Sequence, residues 1–518
     1  MKRNLGFLLV AAVLASVLCL PVWAGGKGES KAAAREVSLW RRMPSDLTTL
    51  YTNMAETPYA KEIEKRTGVK VTYIHPTEAQ RLEQFNLMVA AGDLPDMIQY
   101  SWFENYPGGP ARAIEDKVIR PINDLIEKNS PNLKAYLAKN PGTDKLLKTD
   151  ESKYIGYPDV RLTFTGGYGN IIRKDWIEKL GMELPQTVDE WYAVLKAFQA
   201  KFTKHPLTGT ALSGSRSPVK NHFLFGAYGI WWGWYVDGGK VRYGQSEQAF
   251  RNVMSIYRKW YVDGLIDPEI VTNDKKAWEA KMLNGQAGVT VGWEGSSVGQ
   301  WLEAMKGDPS FNVEGLANPV SKRGEKSFAE SVDGGIGWPT AVTTKARNPE
   351  ACATFADYGY GEKGHMLQNF GVEGETYTLE NGVPKFTDLV YKNPKGLNSK
   401  QVMELYLRAA DEGMIINDRR FQDLEYFRPQ QQAAMKRRTF STAGDHNFPS
   451  VSLTTKEGEE LAVIMTEVQT FVEEAFVKFL TGITPLEDFD GYFKKLDDLG
   501  IKRAIQIQQA AYDRFVAR

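Results

Sequence analysis

The chain has 518 residues, of which 42% are hydrophobic and 25% are charged. This length exceeds what one hydrophobic core supports, and the composition is that of a soluble globular protein, so two or more domains are expected. The 64 basic and 64 acidic residues cancel. A neutral balance argues against nucleic-acid binding and against a polybasic contact with a membrane surface.

Residues 1–24 have the three parts of a secretory signal. A basic start at Lys2 and Arg3 precedes an apolar run over residues 5–20, and small residues occupy the −3 and −1 positions of a cut after Ala24. The apolar run is slightly short for a membrane span. The segment therefore predicts export, with cleavage after Ala24, into the periplasm or to the cell surface.

The two cysteines predict neither a disulfide nor a catalytic thiol. Cys19 offers lipid anchoring as an alternative to cleavage, but it follows Leu18, whereas a lipidated cysteine normally follows a small residue. Cleavage leaves Cys352 alone, so no internal disulfide is possible. Asn348 and Pro349 open a helix that places Cys352 on its apolar face, which favours a buried structural cysteine.

The first part of the folded chain alternates strands and helices. Residues 25–36 are small and charged without apolar periodicity, which predicts a flexible tether before a folded part that starts at Val37. Thr57 and Pro58 then open a helix, which is followed by a strand, a second helix and another strand over residues 68–74, 81–92 and 94–102. This order indicates a mainly parallel sheet with helices on both faces.

A second series of the same kind begins near Tyr168. A strand leads into a helix over residues 170–181, and Thr187 with Glu190 forms a capping box that fixes the next helix start. A buried strand that runs into a loop follows over residues 286–296. No repeat of 20–50 residues is present, which argues against solenoids and propellers.

Five segments carry a resemblance to a known family. They read AGDLPDMI (91–98), NIIRKDWIEKLGMELPQTVDEWYAVLKAF (170–198), NGQAGVTVGWEGS (284–296), NFGVEGETYTL (369–379) and FLTGITPLEDFDGYFKKLDDLGIKRAIQIQQAAYDRF (479–515). With these segments in this order, the chain resembles the extracellular solute-binding proteins (family 1) of ABC importers. It is most similar to the large oligosaccharide-binding branch called LplA-like.

The resemblance implies a two-lobed α/β fold of the periplasmic-binding-protein type (type II-like), with the ligand between the lobes and a hinge that the chain crosses several times. It also implies a partner, the transmembrane subunits of an ABC permease. Closure around the ligand would be a population shift. We expect a signal over residues 1–24 and a tether over residues 25–36. Lobe one would comprise residues 37–165 and 327–372, and lobe two would comprise residues 166–326 and 373–518.

One segment departs from the family. Many relatives carry an acidic loop similar to a calcium site after the helix equivalent to residues 187–202, but no carboxylate occurs here between Thr203 and Lys220. A hard cation needs several oxygen ligands, usually including carboxylates. We therefore expect no calcium site here, and no metal or other cofactor.

Tryptophans at predicted strand ends are the main candidates for ligand contacts. Sugars have apolar C–H faces and a rim of hydroxyls, so they favour aromatic platforms beside hydrogen-bonding side chains. Ligands of α/β sheets bind beyond the carboxyl ends of the strands. On this reasoning we expect the following residues in the cleft: Trp40 with Arg41, Trp102, Trp293 with Glu294, and Trp338.

Two further groups are candidates. Trp232 and Trp234 lie in an irregular, glycine-containing stretch, and Tyr157 and Arg161 precede the first expected hinge crossing. Arginine forks onto paired hydroxyls or onto a sugar carboxylate, although the neutral overall charge gives no push toward an acidic sugar. The alternative for the tryptophans is burial in the core, because tryptophan is highly buried on average. A solvated surface position is the alternative for Arg161.

The sequence thus predicts a monomeric binding protein that captures a saccharide, an oligosaccharide above all, for an importer. A binding protein for a peptide or another polar solute is one alternative. A secreted glycosidase is another, because two carboxylates facing each other across a cleft suffice for that chemistry, with Glu294 and Asp333 as the pair. Ordinary loop acids are the simpler interpretation of both. The five histidines have no metal-site spacing.

Overall fold

The computed structural model describes residues 35–44, 46–212, 216–407 and 413–518. The predicted signal with its cleavage position and Cys19 lies outside the described residues. The first strand, Arg35–Trp40, begins inside the range expected to be tether, because Arg35 and Glu36 pair with the next strand. Within the described ranges, no helix combines the length and the apolar character that crossing a membrane requires.

The first sheet has four strands, in the order Thr340–Val342, Met97–Gln99, Arg35–Trp40 and Val69–Ile74. Arg35–Trp40 pairs in parallel with both of its neighbours, as the alternation of strands and helices predicted. Thr340–Val342 returns late in the chain and adds antiparallel to Met97–Gln99. We call the part of the molecule around this sheet and its buried core lobe one.

Local signals fix the first crossover helix, Pro58–Thr67. The Thr57 side chain accepts a hydrogen bond from the backbone N–H of Ala60, and Pro58 occupies the first helical position. Gly68 ends the helix in the left-handed conformation at φ 66°, where a side chain would be strained. The second crossover helix is Arg81–Ala91.

The second sheet differs from the sequence prediction. Its strands run in the order Val289–Trp293, Tyr168–Arg173 and Val313–Leu316, and both pairings are antiparallel. Alternating helices and strands led us to expect a parallel arrangement. Strand direction depends on where each connection re-enters the sheet, which helix–strand alternation does not determine. We call the part around this sheet and the largest core lobe two.

A three-stranded sheet joins the lobes. Asp159–Thr165 pairs antiparallel with Val332–Ile336 and parallel with Ile415–Ile416, so the chain passes this sheet three times. We call it the hinge sheet. Gly166 follows the first strand at φ 124°, a backbone conformation that favours glycine. The third strand of the hinge sheet, Ile415–Ile416, comes later in the chain than residue 372, the position of the last lobe boundary expected from the sequence.

Two smaller clusters complete the interior. One packs Trp278 and Trp301 against Ile171 and Val313 of the lobe-two sheet. The other lies around Phe370 and Val402, and its helix Ser399–Tyr406 contacts the lobe-one helix Pro58–Thr67.

The remaining strands form two hairpins, Trp234–Asp237 with Lys240–Tyr243, and Tyr377–Glu380 with Val383–Phe386. The longer remaining helices are Gly109–Glu115, Asn123–Asn129, Pro131–Lys139, Pro141–Leu146, Lys174–Leu180, Val188–Lys201, Ala249–Val262, Lys275–Leu283, Gln300–Ala304, Pro349–Tyr358, Glu362–Phe370, Arg419–Glu425, Pro429–Arg438, Thr455–Thr481, Phe489–Asp498 and Ile501–Ala517. Shorter turns of helix include Trp102–Asn105, Asp388–Tyr391 and Ala443–His446.

Candidate functional site

Trp338 lies where the hinge sheet meets lobe one. It stands on the short loop between the hinge strand Val332–Ile336 and the lobe-one edge strand Thr340–Val342. The backbone N–H of Gly337 donates to the carbonyl oxygen of Asp159 at 2.7 Å, which fixes the loop to the first hinge strand. The Trp338 side chain stays partly exposed. It is therefore a partly exposed aromatic surface at the hinge.

Two arginines flank the Trp338 ring. The guanidinium carbon of Arg81 lies 4.8 Å from the ring centroid and that of Arg42 lies 5.9 Å from it, distances at which cations are attracted to an aromatic face. Arg81 also lies 5.7 Å from the Tyr100 ring. Its other partner is Glu78, in an ion pair of 3.3 Å whose carboxylate side is 67% exposed. Trp338 is thus an aromatic platform with two guanidinium groups over its ring.

Trp40 and Trp102 pack in the lobe-one core beneath this platform. The Trp40 ring lies 5.4 Å from Tyr100, and Trp102 lies 5.5 Å from Phe85. Trp102 is 0% exposed and Trp40 is 4% exposed, and Arg41 is buried as well. These side chains present little or no surface to a ligand in this conformation. Their packing agrees with the core alternative, and through Tyr100 they support the platform from below.

Tyr157 and Arg161 lie on either side of the start of the first hinge strand. Tyr157 is fully buried, and its hydroxyl forms a 3.0 Å hydrogen bond with that of Ser130. Arg161 is partly exposed and forms an ion pair of 2.8 Å with Asp159, which also accepts a hydrogen bond from the Asn417 amide. Tyr157 therefore belongs to the core, whereas Arg161 contributes to a polar network that joins two hinge strands.

Lobe two carries a second aromatic pair beside the hinge. Tyr168 opens its strand shortly after the hinge strand Asp159–Thr165 and lies directly opposite Trp293, with the ring centroids 5.1 Å apart. Both side chains are partly exposed. The guanidinium carbon of Arg216 lies 5.8 Å from the Tyr168 ring. Burial lowers the pKa of Arg216, although Tyr168 and Glu279 oppose that shift.

Glu294 follows Trp293 but points into the interior. Its carboxylate is fully buried and forms an ion pair of 2.7 Å with Arg438, which is also fully buried. Burial raises the pKa of Glu294 to about 7, although Arg438 opposes the shift. Arg438 also donates to the carbonyl oxygens of Gly166 and Asn170. Glu294 thus belongs to the framework behind the site rather than to its surface.

Trp232 and Trp234 lie against the lobe-two core. The Trp232 ring is 5.7 Å from both Phe225 and Phe476, and Trp234 is 4.9 Å from Tyr243. Both are partly exposed. Among the described residues, no ring contact joins either of them to Trp293 or to Trp338. The structure does not bring them to the two aromatic platforms at the hinge.

The structure does not show Glu294 and Asp333, the pair expected for a glycosidase, facing each other across a cleft. Glu294 has no exposed surface, and the side chain of Asp333 lies outside the described parts of the chain. Across the residues that are described, no group of three or more His, Cys, Asp and Glu side chains is placed to hold a metal ion. Part of the loop without carboxylates, residues 213–215, also lies outside them.

Sequence reasoning missed the arginines at both platforms. Arg42 comes directly after Arg41 and follows a predicted strand end, so the strand-end argument that selected Arg41 applies to Arg42 as well. Nothing local distinguishes Arg81 or Arg216, because their aromatic partners lie far along the chain. Tyr168 entered the sequence analysis only as the start of the second series of strands and helices.

Comparisons with known proteins match most of the chain. The family described as bacterial extracellular solute-binding protein matches residues 51–366. Lipoprotein LipO of Bacillus subtilis (strain 168) is 27% identical over 365 residues, which cover 66% of this chain and 68% of LipO. The fructooligosaccharide ABC transporter substrate-binding protein FusA of Streptococcus pneumoniae serotype 4 is 24% identical over 496 residues, which cover 88% of this chain and 87% of FusA.

A solved structure agrees with the fold. The crystal structure of alginate-binding protein AlgQ2 without calcium ion is 25% identical in sequence and superposes with a TM-score of 0.76. The superposition covers 93% of this chain and 98% of AlgQ2. This likeness confirms the predicted two-lobed α/β fold.

Proposed function

This chain belongs to the bacterial extracellular solute-binding protein family, and we propose that it captures a saccharide between its lobes for an ABC importer. The observation that carries the proposal is Trp338, a partly exposed aromatic ring at the hinge with two arginines packed over it. A sugar ring stacks its C–H face on such a surface while the guanidinium groups bond to its hydroxyls. FusA is a fructooligosaccharide-binding protein and AlgQ2 an alginate-binding protein, and both support this substrate class.

The two aromatic platforms suggest how binding is coupled to closure. Trp338 belongs to the lobe-one side of the hinge sheet, and the pair Tyr168 and Trp293 belongs to the lobe-two side. A ligand that contacts both platforms stabilises the closed state relative to the open one, because only the closed state makes both sets of contacts. The closed protein then delivers the saccharide to the transmembrane subunits of the permease.

The lobe boundaries are also part of this proposal. The hinge strands Asp159–Thr165 and Val332–Ile336 support crossings close to residues 165 and 327. The strand Ile415–Ile416 supports a third crossing later than residue 372.

We further propose export with cleavage after Ala24, and a protein that acts as a monomer in the periplasm or at the cell surface. The name of LipO supports lipid anchoring through Cys19 as the alternative to release by cleavage. Mass measurement of the exported protein decides between them, because a lipidated Cys19 adds acyl chains and keeps residues 20–24.

The last part of the proposed function is that the protein binds its saccharide without cleaving it. The full burial of Glu294 against Arg438 speaks against a glycosidase that uses it as an acid, because a general acid must reach the glycosidic oxygen. A secreted carbohydrate-active enzyme would instead cleave what it binds. Product analysis of each bound sugar separates the two functions.

The test is a thermal-shift and calorimetry screen of the purified protein against neutral and acidic oligosaccharides. Trp338→Ala should weaken binding of the best saccharide by about 1–3 kcal/mol, the range found for aromatic stacking. Trp234→Ala is the matched control, because Trp234 is also a partly exposed tryptophan but lies off the hinge. Recovery of cleaved sugar, or equal affinity in the Trp338 variant and the wild type, would overturn the proposal.

A further inference from the structure

We infer that direct contact between the two lobes, where the backbones of Gly108 and Gly458 meet, stabilises the closed conformation and so strengthens ligand binding. This inference rests on the proposed function and concerns the regulation of the same site. Gly108 precedes the lobe-one helix Gly109–Glu115, and Gly458 lies near the start of the lobe-two helix Thr455–Thr481.

The two helices belong to different cores, so their contact joins the lobes outside the hinge sheet. Ala113 and Ile114 pack in the lobe-one core, whereas Leu461 and Met465 pack in the lobe-two core. Lobes that turn about a hinge keep the contacts at the hinge and lose those farther from it. The contact between the helices therefore depends on how far the lobes are closed.

The contact lies on the edge of lobe one that carries the Trp338 platform. The strand Met97–Gln99 is followed by Tyr100, whose ring centroid lies 6.1 Å from that of Trp338. From this edge the chain continues through the short helix Trp102–Asn105 to Gly108. Bringing this edge against lobe two both forms the contact and closes the space in front of Trp338.

Gly458 leaves no room for a side chain. A Cβ atom on Gly458 would lie 2.6 Å from Cα of Gly108 and 3.1 Å from its carbonyl oxygen. Both neighbours are backbone atoms, so a rotamer change cannot relieve the overlap. Glycine inside a helix is less stable than alanine, and here its missing side chain is what allows the lobes to meet.

Polar contacts between the lobes surround the two glycines. Arg112 of lobe one forms an ion pair of 2.6 Å with Glu459 of lobe two. The hydroxyl of Thr455 donates a hydrogen bond to the carboxylate of Glu115. Each partly exposed pair contributes little by itself. Because these contacts form in the same arrangement of the lobes, all of them favour one conformation over the other.

A second group of contacts extends this surface. Arg514 pairs with Asp150 of lobe one at 2.6 Å and with Glu457 of lobe two at 2.5 Å. Lys145 of lobe one donates to the carbonyl oxygen of Val516 at 3.1 Å. Because Glu457 directly precedes Gly458, both groups belong to one contact surface between the lobes.

Such a surface changes affinity without touching the ligand. The apparent Kd equals the intrinsic Kd of the closed state divided by the fraction of the protein that is closed before binding. Contacts that raise this fraction strengthen the binding of any saccharide that the closed site accepts. Weakening these contacts should therefore lower the affinity although the ligand's own contacts are unchanged.

The experiment uses Gly458→Ala, with Gly491→Ala as the matched control. Gly491 also lies in a lobe-two helix, Phe489–Asp498, but a Cβ atom there meets no neighbouring atom within 4 Å. Small-angle X-ray scattering of the ligand-free proteins should give a larger radius of gyration for Gly458→Ala than for the control and the wild type. The melting temperatures should stay close together, because alanine favours both helices and the lobes remain free to separate.

Calorimetry measures the consequence for binding. The probes are maltotriose, xylotriose, mannotriose and trigalacturonate, and the one that the wild type binds most tightly is used for the variants. Gly458→Ala should weaken its binding by about fivefold or more, the range of an ordinary coupling between a conformational change and binding. Gly491→Ala should leave the affinity unchanged.

A second variant keeps the test independent of the added side chain. Glu459→Gln should weaken binding of the same saccharide by about two- to fivefold, because it removes the charge that pairs with Arg112. Glu474→Gln is its control, since Glu474 lies on the same helix at similar exposure but pairs with Lys478 within that helix.

The outcomes separate the two proposals. A larger radius and weaker binding in Gly458→Ala, with both controls unchanged, supports the inference. Equal radii and equal affinities, or tighter binding in Gly458→Ala, overturn it while saccharide binding stands. If no saccharide of the panel binds, the proposed function fails and scattering alone decides the inference, which a larger radius in Gly458→Ala supports and an equal radius overturns.

Discussion

Glu294 and Arg438 form a fully buried ion pair, with the carboxylate oxygen 2.7 Å from Nη1 of the guanidinium. The same guanidinium donates to the carbonyl oxygens of Gly166 and Asn170, so it joins the hinge, the lobe-two sheet and the turn that follows Trp293. A charge in the interior needs a partner to offset its desolvation. The position of the lobe-two platform therefore depends on a pair that no ligand touches.

Removing the cation from this pair should be costly. Arg438→Met leaves Glu294 buried without its partner, which should lower the free energy of unfolding by about 3–5 kcal/mol. Arg323→Met is the control, because the pair of Arg323 with Glu190 is partly exposed to water and should contribute less than about 1 kcal/mol. Urea denaturation measures both. A similar loss of unfolding free energy in the two variants would show that the buried pair stabilises the protein no more than the control pair does.

A second buried carboxylate, Glu330, predicts a pH dependence. It accepts a hydrogen bond of 2.6 Å from the backbone N–H of Asn318, and burial raises its pKa from 4.5 to about 7. Between these two values the folded protein holds a proton that the unfolded chain releases. The contribution of Glu330 to stability is therefore present below pH 4.5 and is lost as pH rises toward 7.

The variant Glu330→Gln stays neutral and should lack the part of the pH dependence that Glu330 causes. The free energy of unfolding of the wild type should fall relative to that of the variant from pH 4.5 to 7, by an amount on the order of 3 kcal/mol. Urea titrations at several pH values measure the difference. Glu350→Gln, at an exposed position, is the control. A difference that is constant with pH, or that has the opposite sign, would contradict the prediction.

Local signals in the sequence predicted where helices begin, but not the direction of the lobe-two strands. The capping box of Thr187 and Glu190 forms as expected, because its hydrogen bonds span only three residues. Asn348 likewise caps the helix Pro349–Tyr358. The antiparallel sheet around Tyr168–Arg173 depends on connections that run through much longer segments. Periodicity within a strand carries no information about those connections.

The site was predictable only where position along a strand decides exposure. Trp338 lies on a loop at the end of a strand, and it stays partly exposed at the hinge. Trp102 also follows a strand, but it begins a short helix that turns its side chain into the core. Arg81 reaches Trp338 only through the tertiary fold, so no pattern near Arg81 predicts the contact.

The lobe-two platform predicts a second binding variant. Trp293→Ala should weaken saccharide affinity by about 1–3 kcal/mol, because the ring is partly exposed beside Tyr168 and offers one of the two stacking surfaces. Calorimetry with the best saccharide measures the loss. Phe440→Ala, which removes a 52% exposed aromatic ring elsewhere, should have no effect. Unchanged affinity in the Trp293 variant, with its folding intact, would remove Trp293 from the site.

Calcium should not affect the stability of this protein. A cation that binds the folded state raises the melting temperature once its concentration exceeds its Kd, but the chain between Thr203 and Lys220 carries no carboxylate to bind one. Melting curves with millimolar calcium and with a chelator should therefore coincide. A saccharide from the binding screen is the positive control, since it should raise the melting temperature under both conditions. A shift of several degrees between calcium and chelator would show that the protein holds the ion elsewhere.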